Sequence, residues 1–202
     1  MVRELASRIV AIQAPPALPV LDTGSGSGIF TRQLAARLPD ETPIIGIEPA
    51  SAMREKAVAT MSLKTVTYRE GAAETLPIED GAALAVFAAT AAHWFERPSF
   101  YREARRALHI GGLLVIVEYV RDDKASVAAQ AVVEFLNRHD EPRAYTRPDY
   151  MAELGELEGF GSIETWKQPV ALLLSATEFA SLALSSSYAR QIIETRGRKR
   201  KQ

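Results

Sequence analysis

The length, composition and charge of the chain describe an ordinary globular protein with one sizeable core. It has 202 residues, of which 47% are hydrophobic, with 24 basic and 25 acidic side chains and a net charge of −1. No apolar run is long enough to span a bilayer. The first residues include Arg3 and Glu4 and lack the apolar core of a secretion signal. The lack of cysteine excludes disulfides, thiolate metal sites and cysteine nucleophiles, and we expect a cytoplasmic protein.

Charge is evenly spread except at the end of the chain, where residues 196–201 hold five cations. Such a tail is most simply a solvated terminus, although it could also touch nucleic acid or serve as an address. The body is acidic, which is not typical of a protein that reads nucleic acid. We predict one domain over residues 1–195, followed by a basic tail over residues 196–202, with no nucleic-acid partner.

The first predicted elements are a helix, a buried strand and a glycine-rich turn. Residues 2–13 place apolar side chains on one helical face, and Pro15 and Pro16 end that helix. An apolar run over residues 19–21 then leads into three glycines at alternating positions: Gly24, Gly26 and Gly28. A second amphipathic helix opens at Ile29. This order predicts a strand, a tight turn and a helix of an α/β sheet.

The glycine turn predicts a site for a nucleotide-type ligand. Without side chains the backbone can approach a ligand closely, and N–H groups at the helix start face the space above the turn. The dinucleotide spacing Gly-x-Gly-x-x-Gly would need glycine where the chain has Ile29 or Thr31. Asp22 lies two residues before the first glycine, and an anion there suits a cationic ligand rather than a pyrophosphate.

Two more strands follow, over residues 43–48 and 65–69. Glu48 ends the first of them, 20 positions after Gly28. An acid at that distance can accept hydrogen bonds from both hydroxyls of a ribose. Alternatively, it is an acid in the first turn of the next helix, which starts near Pro49.

A continuous apolar run over residues 82–90 predicts a central strand, and Ala91-Ala92-His93-Trp94-Phe95 follows it. Ligands bind beyond the carboxyl ends of such strands. His93 could therefore orient an acidic substrate or act as a base, or it could simply be hydrogen-bonded within the loop. We expect Trp94 to be pocket wall or core.

The second half of the chain predicts further helices and two strands. A helix over residues 98–108 presents Arg102, Arg105 and Arg106 as a solvated face, and a turn at residues 110–112 leads to a fifth strand over 113–117. The remaining predicted elements are helices over 126–137 and 149–157, a sixth strand over 162–174 and a last helix that opens with the capping box Ser175–Glu178.

This ordered series resembles the class I S-adenosylmethionine-dependent methyltransferases over residues 20–188. The resemblance rests on Asp-x-Gly-x-Gly-x-Gly at 22–28, on Gly-Ala-Ala-Glu-Thr-Leu-Pro at 71–77 and on Ala-Ala-His-Trp-Phe at 91–95. It continues through 105–118 and the Ser-Ser-Ser-Tyr stretch at 185–188. These motifs are similar to those of the type 11 group, which contains ubiquinone-biosynthesis and trans-aconitate enzymes.

The resemblance implies a doubly wound, mostly parallel Rossmann-like sheet with helices on both faces and S-adenosylmethionine as cofactor. The positions that it assigns to cofactor binding are Asp22, Gly24, Gly26, Gly28, Glu48, Pro49, Met53, Ala73, Glu74 and Thr90. It makes His93 the candidate catalytic residue for methyl transfer to oxygen or carbon of a small molecule. With three histidines and no cysteine, no metal site is expected.

Several departures leave alternatives open. Ala72 and Leu84 stand where the family usually carries aspartate, and no seventh strand is predicted, so we expect a sheet of about six strands with an open edge. A homodimer over that edge is one hypothesis. A cofactor-binding protein without activity is the main alternative function. An NAD(P)-dependent oxidoreductase is disfavoured by the glycine spacing.

Overall fold

The computed structural model describes residues 1–15, 17–60, 65–120, 126–127, 130–131, 134, 148–171 and 173–184. The chain divides into two compact units. One unit comprises Met1–Tyr119 with Pro148–Thr165, and the other comprises Val120–Arg147 with Trp166–Gln202. The predicted basic tail and the Ser-Ser-Ser-Tyr stretch lie outside the described residues, as does most of the predicted helix over 126–137.

The first unit is built on a five-stranded parallel sheet in the order β3-β2-β1-β4-β5. Its strands are β1 (Val20–Thr23), β2 (Ile44–Ile47), β3 (Val66–Arg69), β4 (Ala83–Ala89) and β5 (Leu108–Val117). Because β1 pairs with both β2 and β4, the strand order reverses beside β1, which is where ligands bind in doubly wound sheets. The predicted fold class is confirmed.

The helices are α1 (Val2–Val10), α2 (Ile29–Ala35), α3 (Ser51–Ala59), α4 (Arg97–Ala107), α5 (Tyr150–Gly155) and α6 (Ala176–Leu184), and Ala92–Trp94 forms a 3₁₀ turn.

Successive β1 side chains point to opposite faces of the sheet. Val20 packs in a cluster with Leu5 of α1 and Leu34 of α2, whereas Leu21 packs in a second cluster with Phe100 of α4. Both faces of the sheet are therefore covered by helices.

The predicted turn at residues 110–112 is built into β5 as an irregularity. Leu108 pairs with Ala83 and Leu113 pairs with Ala85, so residues 109–112 bulge out of the ladder. Gly111 has φ of +81° within this bulge. The glycine that signals a turn here re-aligns two strand segments instead of joining a helix to a strand.

The sixth strand predicted over residues 162–174 is wrong for the residues that the structure describes. Positions 162–171 and 173–174 have no strand, and most of them are exposed. Pro169 lacks an N–H for a ladder, and the β-branched residues around it do not suffice to pair the segment.

The capping box is confirmed, because Ser175 and Glu178 hydrogen-bond each other reciprocally at the start of α6. In the described ranges no helix has the length and apolar character to cross a membrane.

Candidate functional site

The glycine turn crosses from the end of β1 over the end of β2. Gly24, Gly26 and Gly28 all have left-handed φ values, of +70°, +54° and +76°. The N–H groups of Gly24 and Ser25 both donate to the Ile47 carbonyl oxygen, at 2.8 and 3.0 Å. The turn is thus fixed to the carboxyl end of the neighbouring strand, and Gly28 is the residue that opens α2.

The three glycines are required for different physical reasons. A Cβ atom on Gly24 would lie 2.8 Å from Ala91 Cβ and 3.0 Å from Phe95 Cζ, so the segment after β4 packs directly on the turn. A Cβ atom on Gly28 would overlap the Tyr68 hydroxyl. No heavy atom of the described residues would lie within 4 Å of a Cβ atom on Gly26. Gly26 therefore borders open space, whereas the other two are enclosed by packing.

The Glu48 carboxylate joins the end of β2 to this turn. Its Oε2 accepts a hydrogen bond from the Gly26 N–H at 2.9 Å, and its Oε1 accepts one from the Ala50 N–H at 3.0 Å. The residue is only 9% exposed. Glu48 therefore lies before α3 rather than in its first turn, and its carboxylate accepts a hydrogen bond from the N–H of Ala50, the residue that precedes the helix. The ribose contact stays a prediction.

The Asp22 carboxyl lies beneath the turn, on the side of α2. It is 1% exposed, and the Thr31 hydroxyl donates to its Oδ2 at 2.6 Å. Burial raises the pKa of Asp22 to about 7, and the hydrogen bond from Thr31 opposes part of that rise. Asp22 thus ties β1 to the first turns of α2. Thr31 was not singled out from the sequence, although a hydroxyl early in the helix after the glycines is a usable signal.

The structure distributes the other predicted cofactor residues around the same edge of the sheet. Ala73 is buried in the core, and the Glu74 Oε1 accepts a hydrogen bond from the Glu96 N–H at 2.8 Å. Thr90, with φ of +54°, donates its N–H to the Val117 carbonyl oxygen at 2.7 Å. The loop after β3 and the loop after β4 are therefore linked to each other.

Pro49 and Met53 lie on the side of α3. The carbonyl oxygens of Glu48 and Pro49 accept hydrogen bonds from Arg54 Nη1, at 2.8 and 2.7 Å. The same guanidinium pairs with Glu70 after β3 at 2.6 Å. Met53 is half exposed, so its side chain is available at the surface rather than buried as core.

His93 lies in the 3₁₀ turn after β4, beside two polar side chains from other elements. Its Nδ1 is 3.4 Å from Glu118 Oε1, and the Tyr150 hydroxyl donates to the same oxygen at 2.9 Å. Trp94 is 71% exposed, so the expectation that it forms core is wrong, whereas its role as a pocket wall stays a prediction. Its ring contacts the His93 ring with centroids 5.1 Å apart.

A polar network on α4 holds the loop over residues 72–80, and it was not found from the sequence. Arg106 Nη2 donates to the carbonyl oxygens of Leu76 and Ile78, at 3.2 and 2.9 Å, and Nη1 pairs with Asp80. Glu103 accepts from the Leu76 N–H at 2.8 Å. The expectation that Arg106 belongs to a solvated face is therefore wrong. Its spacing of three residues from Glu103, which allows an ion pair on one helix face, could have indicated a structural role.

The residues at the turn fit a cofactor with a cationic and a hydroxyl-rich part. The Ser25 hydroxyl and the Thr23 hydroxyl are buried, and neither has a hydrogen-bonding partner in the part of the chain that the structure describes. Buried hydroxyls normally find a partner. Together with the open side of Gly26 and the Glu48 carboxylate, they provide donors and acceptors for a polar ligand.

Several known proteins are similar to this chain in sequence. Residues 21–116 match the family described as a methyltransferase domain. The chain is 28% identical over 177 residues to an uncharacterized methyltransferase-like protein of Schizosaccharomyces pombe, covering 87% of this chain and 66% of that protein. It is 38% identical over 99 residues to a methyltransferase candidate of Dictyostelium discoideum, covering 49% and 35%. The chain thus spans between about a third and two thirds of the length of these relatives.

Solved structures share the fold. The YcgJ protein of Bacillus subtilis superposes with a TM-score of 0.58 at 22% identity, covering 96% of this chain and 82% of that one. A candidate S-adenosylmethionine-dependent methyltransferase of Methanococcus maripaludis gives a TM-score of 0.51 at 21% identity, covering 67% and 63%. The family match spans the glycine turn, Glu48 and the segment after β4, all at one edge of the sheet. The glycine turn and the segment after β4 therefore lie in a part of the chain, residues 21–116, that is similar to a methyltransferase domain.

Proposed function

We propose that this chain transfers a methyl group from S-adenosylmethionine to a small-molecule acceptor, at oxygen or carbon. The observation that carries the proposal is the pairing of the Glu48 carboxylate with the Gly26 N–H beside open space. A carboxylate at the tip of β2 and a bare backbone at the end of β1 match a ligand that has a ribose and a charged amino-acid part.

Residues of the turn would hold the amino-acid part, and Glu48 would accept hydrogen bonds from the ribose hydroxyls. Ser25 would supply a hydroxyl that has no partner among the described residues. The loop over residues 72–76, fixed by Glu74 and Glu103, would border the base. When bound, S-adenosylmethionine supplies an already activated methyl group. The protein then has to align the acceptor and exclude water, which requires no nucleophilic triad.

The segment over residues 91–95 is our candidate for the acceptor side of the site. It packs on Gly24 through Ala91 and Phe95, so its side chains begin where the glycine turn ends. Phe95 in turn packs edge-on against buried Phe100, with ring centroids 5.0 Å apart, which anchors the segment to α4. Among the side chains of this segment, the His93 imidazole is the one that can act as a general base.

Calorimetric titration with S-adenosylmethionine and, separately, with NAD⁺ tests the cofactor. We expect saturable binding of the first and none of the second, and the reverse would favour the oxidoreductase alternative. Incubation with methyl-labelled S-adenosylmethionine and a metabolite extract, followed by mass spectrometry, then tests transfer. Binding without any labelled product would support the alternative of a cofactor-binding protein that lacks activity.

Three further predictions concern the whole protein. We propose a single functional domain over residues 1–195 with a separate basic tail, and a cytoplasmic location. The homodimer over an open sheet edge stays a prediction, which sedimentation at micromolar concentration tests. A monomer under those conditions would contradict it.

A further inference from the structure

Glu118 and His93 are brought together by the pairing of β4 with β5. Ala89 is the register partner of Val117, and the Thr90 N–H donates to the Val117 carbonyl oxygen at 2.7 Å. Glu118 follows directly after β5, and His93 comes four residues after the end of β4. The two side chains therefore emerge at the carboxyl edge of neighbouring strands, which is the edge that carries the glycine turn.

The Glu118 carboxylate has two neighbours that define its role. Tyr150 donates its hydroxyl hydrogen to Oε1 at 2.9 Å, and His93 Nδ1 lies 3.4 Å from the same oxygen. The side chains of Glu118 and His93 are only 13% and 20% exposed, so their interaction is partly shielded from water. A contact of 3.4 Å is long for a hydrogen bond, and such contacts in ligand-free sites often shorten when substrate binds.

This geometry selects one form of the imidazole. An ionised carboxylate has no hydrogen to donate, so the hydrogen between the two groups belongs on Nδ1. The lone pair of the neutral ring then lies on Nε2. Tyr150, which opens α5, donates its hydroxyl hydrogen to the same carboxylate oxygen and so helps to fix its position.

We propose that Glu118, supported by Tyr150, positions His93 as a proton acceptor, and that the methyl acceptor therefore carries its proton on oxygen, as a hydroxyl does. The inference on the acceptor rests on the proposed function. The hydroxyl proton moves to His93 Nε2, and the O–H electron pair stays on the acceptor oxygen. The resulting imidazolium keeps its Nδ1–H on Glu118, which remains ionised. A carboxylate acceptor is already an anion and would need no such base.

Nitrogen-15 NMR of histidine-labelled protein tests the positioning role without any turnover. A spectrum of His93→Gln assigns the His93 signals among the three histidines. We expect the Nδ1–H tautomer to dominate in the parent protein and the Nε2–H tautomer to dominate in Glu118→Leu. Tyr150→Phe should give an intermediate ratio, and it tests the same claim if Glu118→Leu fails to fold.

Tyr101→Phe is the matched control for the tyrosine variant. Its hydroxyl also donates to a carboxylate, but to that of Glu153, at 2.7 Å, rather than to that of Glu118. We expect the tautomer ratio of His93 to be unchanged in this variant. An unchanged ratio in Glu118→Leu, or an equal change in Tyr101→Phe, would overturn the positioning role.

The acceptor class is tested on the product formed from a metabolite extract and methyl-labelled S-adenosylmethionine. Mild base releases volatile labelled methanol from a methyl ester but not from a methyl ether. We expect a base-stable product, and a loss of at least about tenfold in its rate of formation in Glu118→Leu with cofactor affinity changed less than about twofold. A base-labile product overturns the hydroxyl assignment. If no labelled product forms, the hydroxyl assignment and the proposed function are both contradicted. The tautomer ratio of His93 still tests the positioning role of Glu118 in that case.

Discussion

Glu48 Oε2 accepts a hydrogen bond from the Gly26 N–H at 2.9 Å, so the tip of β2 is bonded directly to the centre of the glycine turn. The same carboxylate holds the Ala50 N–H through its other oxygen. Both oxygens are thus already used within the protein, each with one lone pair left for a ligand. The ribose hydroxyls of a bound nucleoside would add to these bonds or replace them.

Glu48→Gln should weaken binding of S-adenosylmethionine about tenfold or more. The amide keeps one acceptor oxygen but turns the other into a donor, and hydrogen bonds to a charged group contribute about 1.5–3 kcal/mol. Calorimetric titration measures the change. Glu55→Gln on the exposed side of α3 is the control and should bind as the parent does. Equal affinity in Glu48→Gln would contradict the ribose role.

Gly26→Ala should abolish most cofactor binding at a modest loss of stability. The new methyl group meets no atom of the described residues, but it projects into the space that a ligand would use. Alanine at φ of +54° is strained by about 1 kcal/mol. Gly81→Ala is a matched control, because Gly81 has φ of +64° and an equally open Cβ position. Chemical denaturation should show similar losses in both variants, with affinity lost only in Gly26→Ala.

Because of the Asp22 carboxyl, the free energy of unfolding should decrease as the pH rises from about 4 to about 7. Its pKa is about 7 in the folded chain and 3.8 as the ordinary value, so the folded state holds a proton that the unfolded state releases in that range. The upper limit of this loss is about 4 kcal/mol.

Asp22→Asn separates this effect from that of all other groups. Its amide oxygen can still accept the hydrogen bond from Thr31, but it does not titrate. The free energy of unfolding of Asp22→Asn, relative to the parent, should therefore increase between pH 4 and pH 8, as measured by urea denaturation at each pH. A difference that stays constant with pH would show that the Asp22 carboxyl does not resist ionisation.

Arg106→Ala should destabilise the protein by about 1–3 kcal/mol and loosen the loop over residues 72–80. The variant leaves the Leu76 and Ile78 carbonyl oxygens without their donor and removes the partner of Glu103. The guanidinium is about one third exposed, which limits the effect. Arg102→Ala, on the exposed side of α4, should stay within about 0.5 kcal/mol of the parent. Equal losses in urea denaturation would contradict the clamping role.

The sequence predicted the parts of the site that depend on order along the chain. The glycine turn, Glu48 and the segment after β4 each follow a strand end, and parallel strands bring such ends to one edge. The position of Asp22 follows from the alternation of side chains along β1, which places it with Val20 on the α2 side, where it accepts a hydrogen bond from Thr31. Its contact with the cofactor stays a prediction.

Contacts that depend on register could not be predicted in the same way. Glu118 follows the part of β5 that pairs with β4 beyond the bulge at residues 109–112, and there it lies 3.4 Å from His93. Arg106 binds backbone carbonyl oxygens 28 and 30 residues away, and backbone atoms carry no sequence signature. The prediction of a sixth strand was wrong because residues with high β-propensity form a strand only when a neighbouring strand pairs with them.

The Tyr68 ring lies close to two glycines, Gly28 and Gly46, from different parts of the sequence. A Cβ atom on Gly28 would overlap its hydroxyl, and a Cβ atom on Gly46 would lie 2.5 Å from its Cδ1. One aromatic ring therefore fills the volume of two missing side chains. A larger side chain at position 28 or 46 would therefore need a smaller one at position 68.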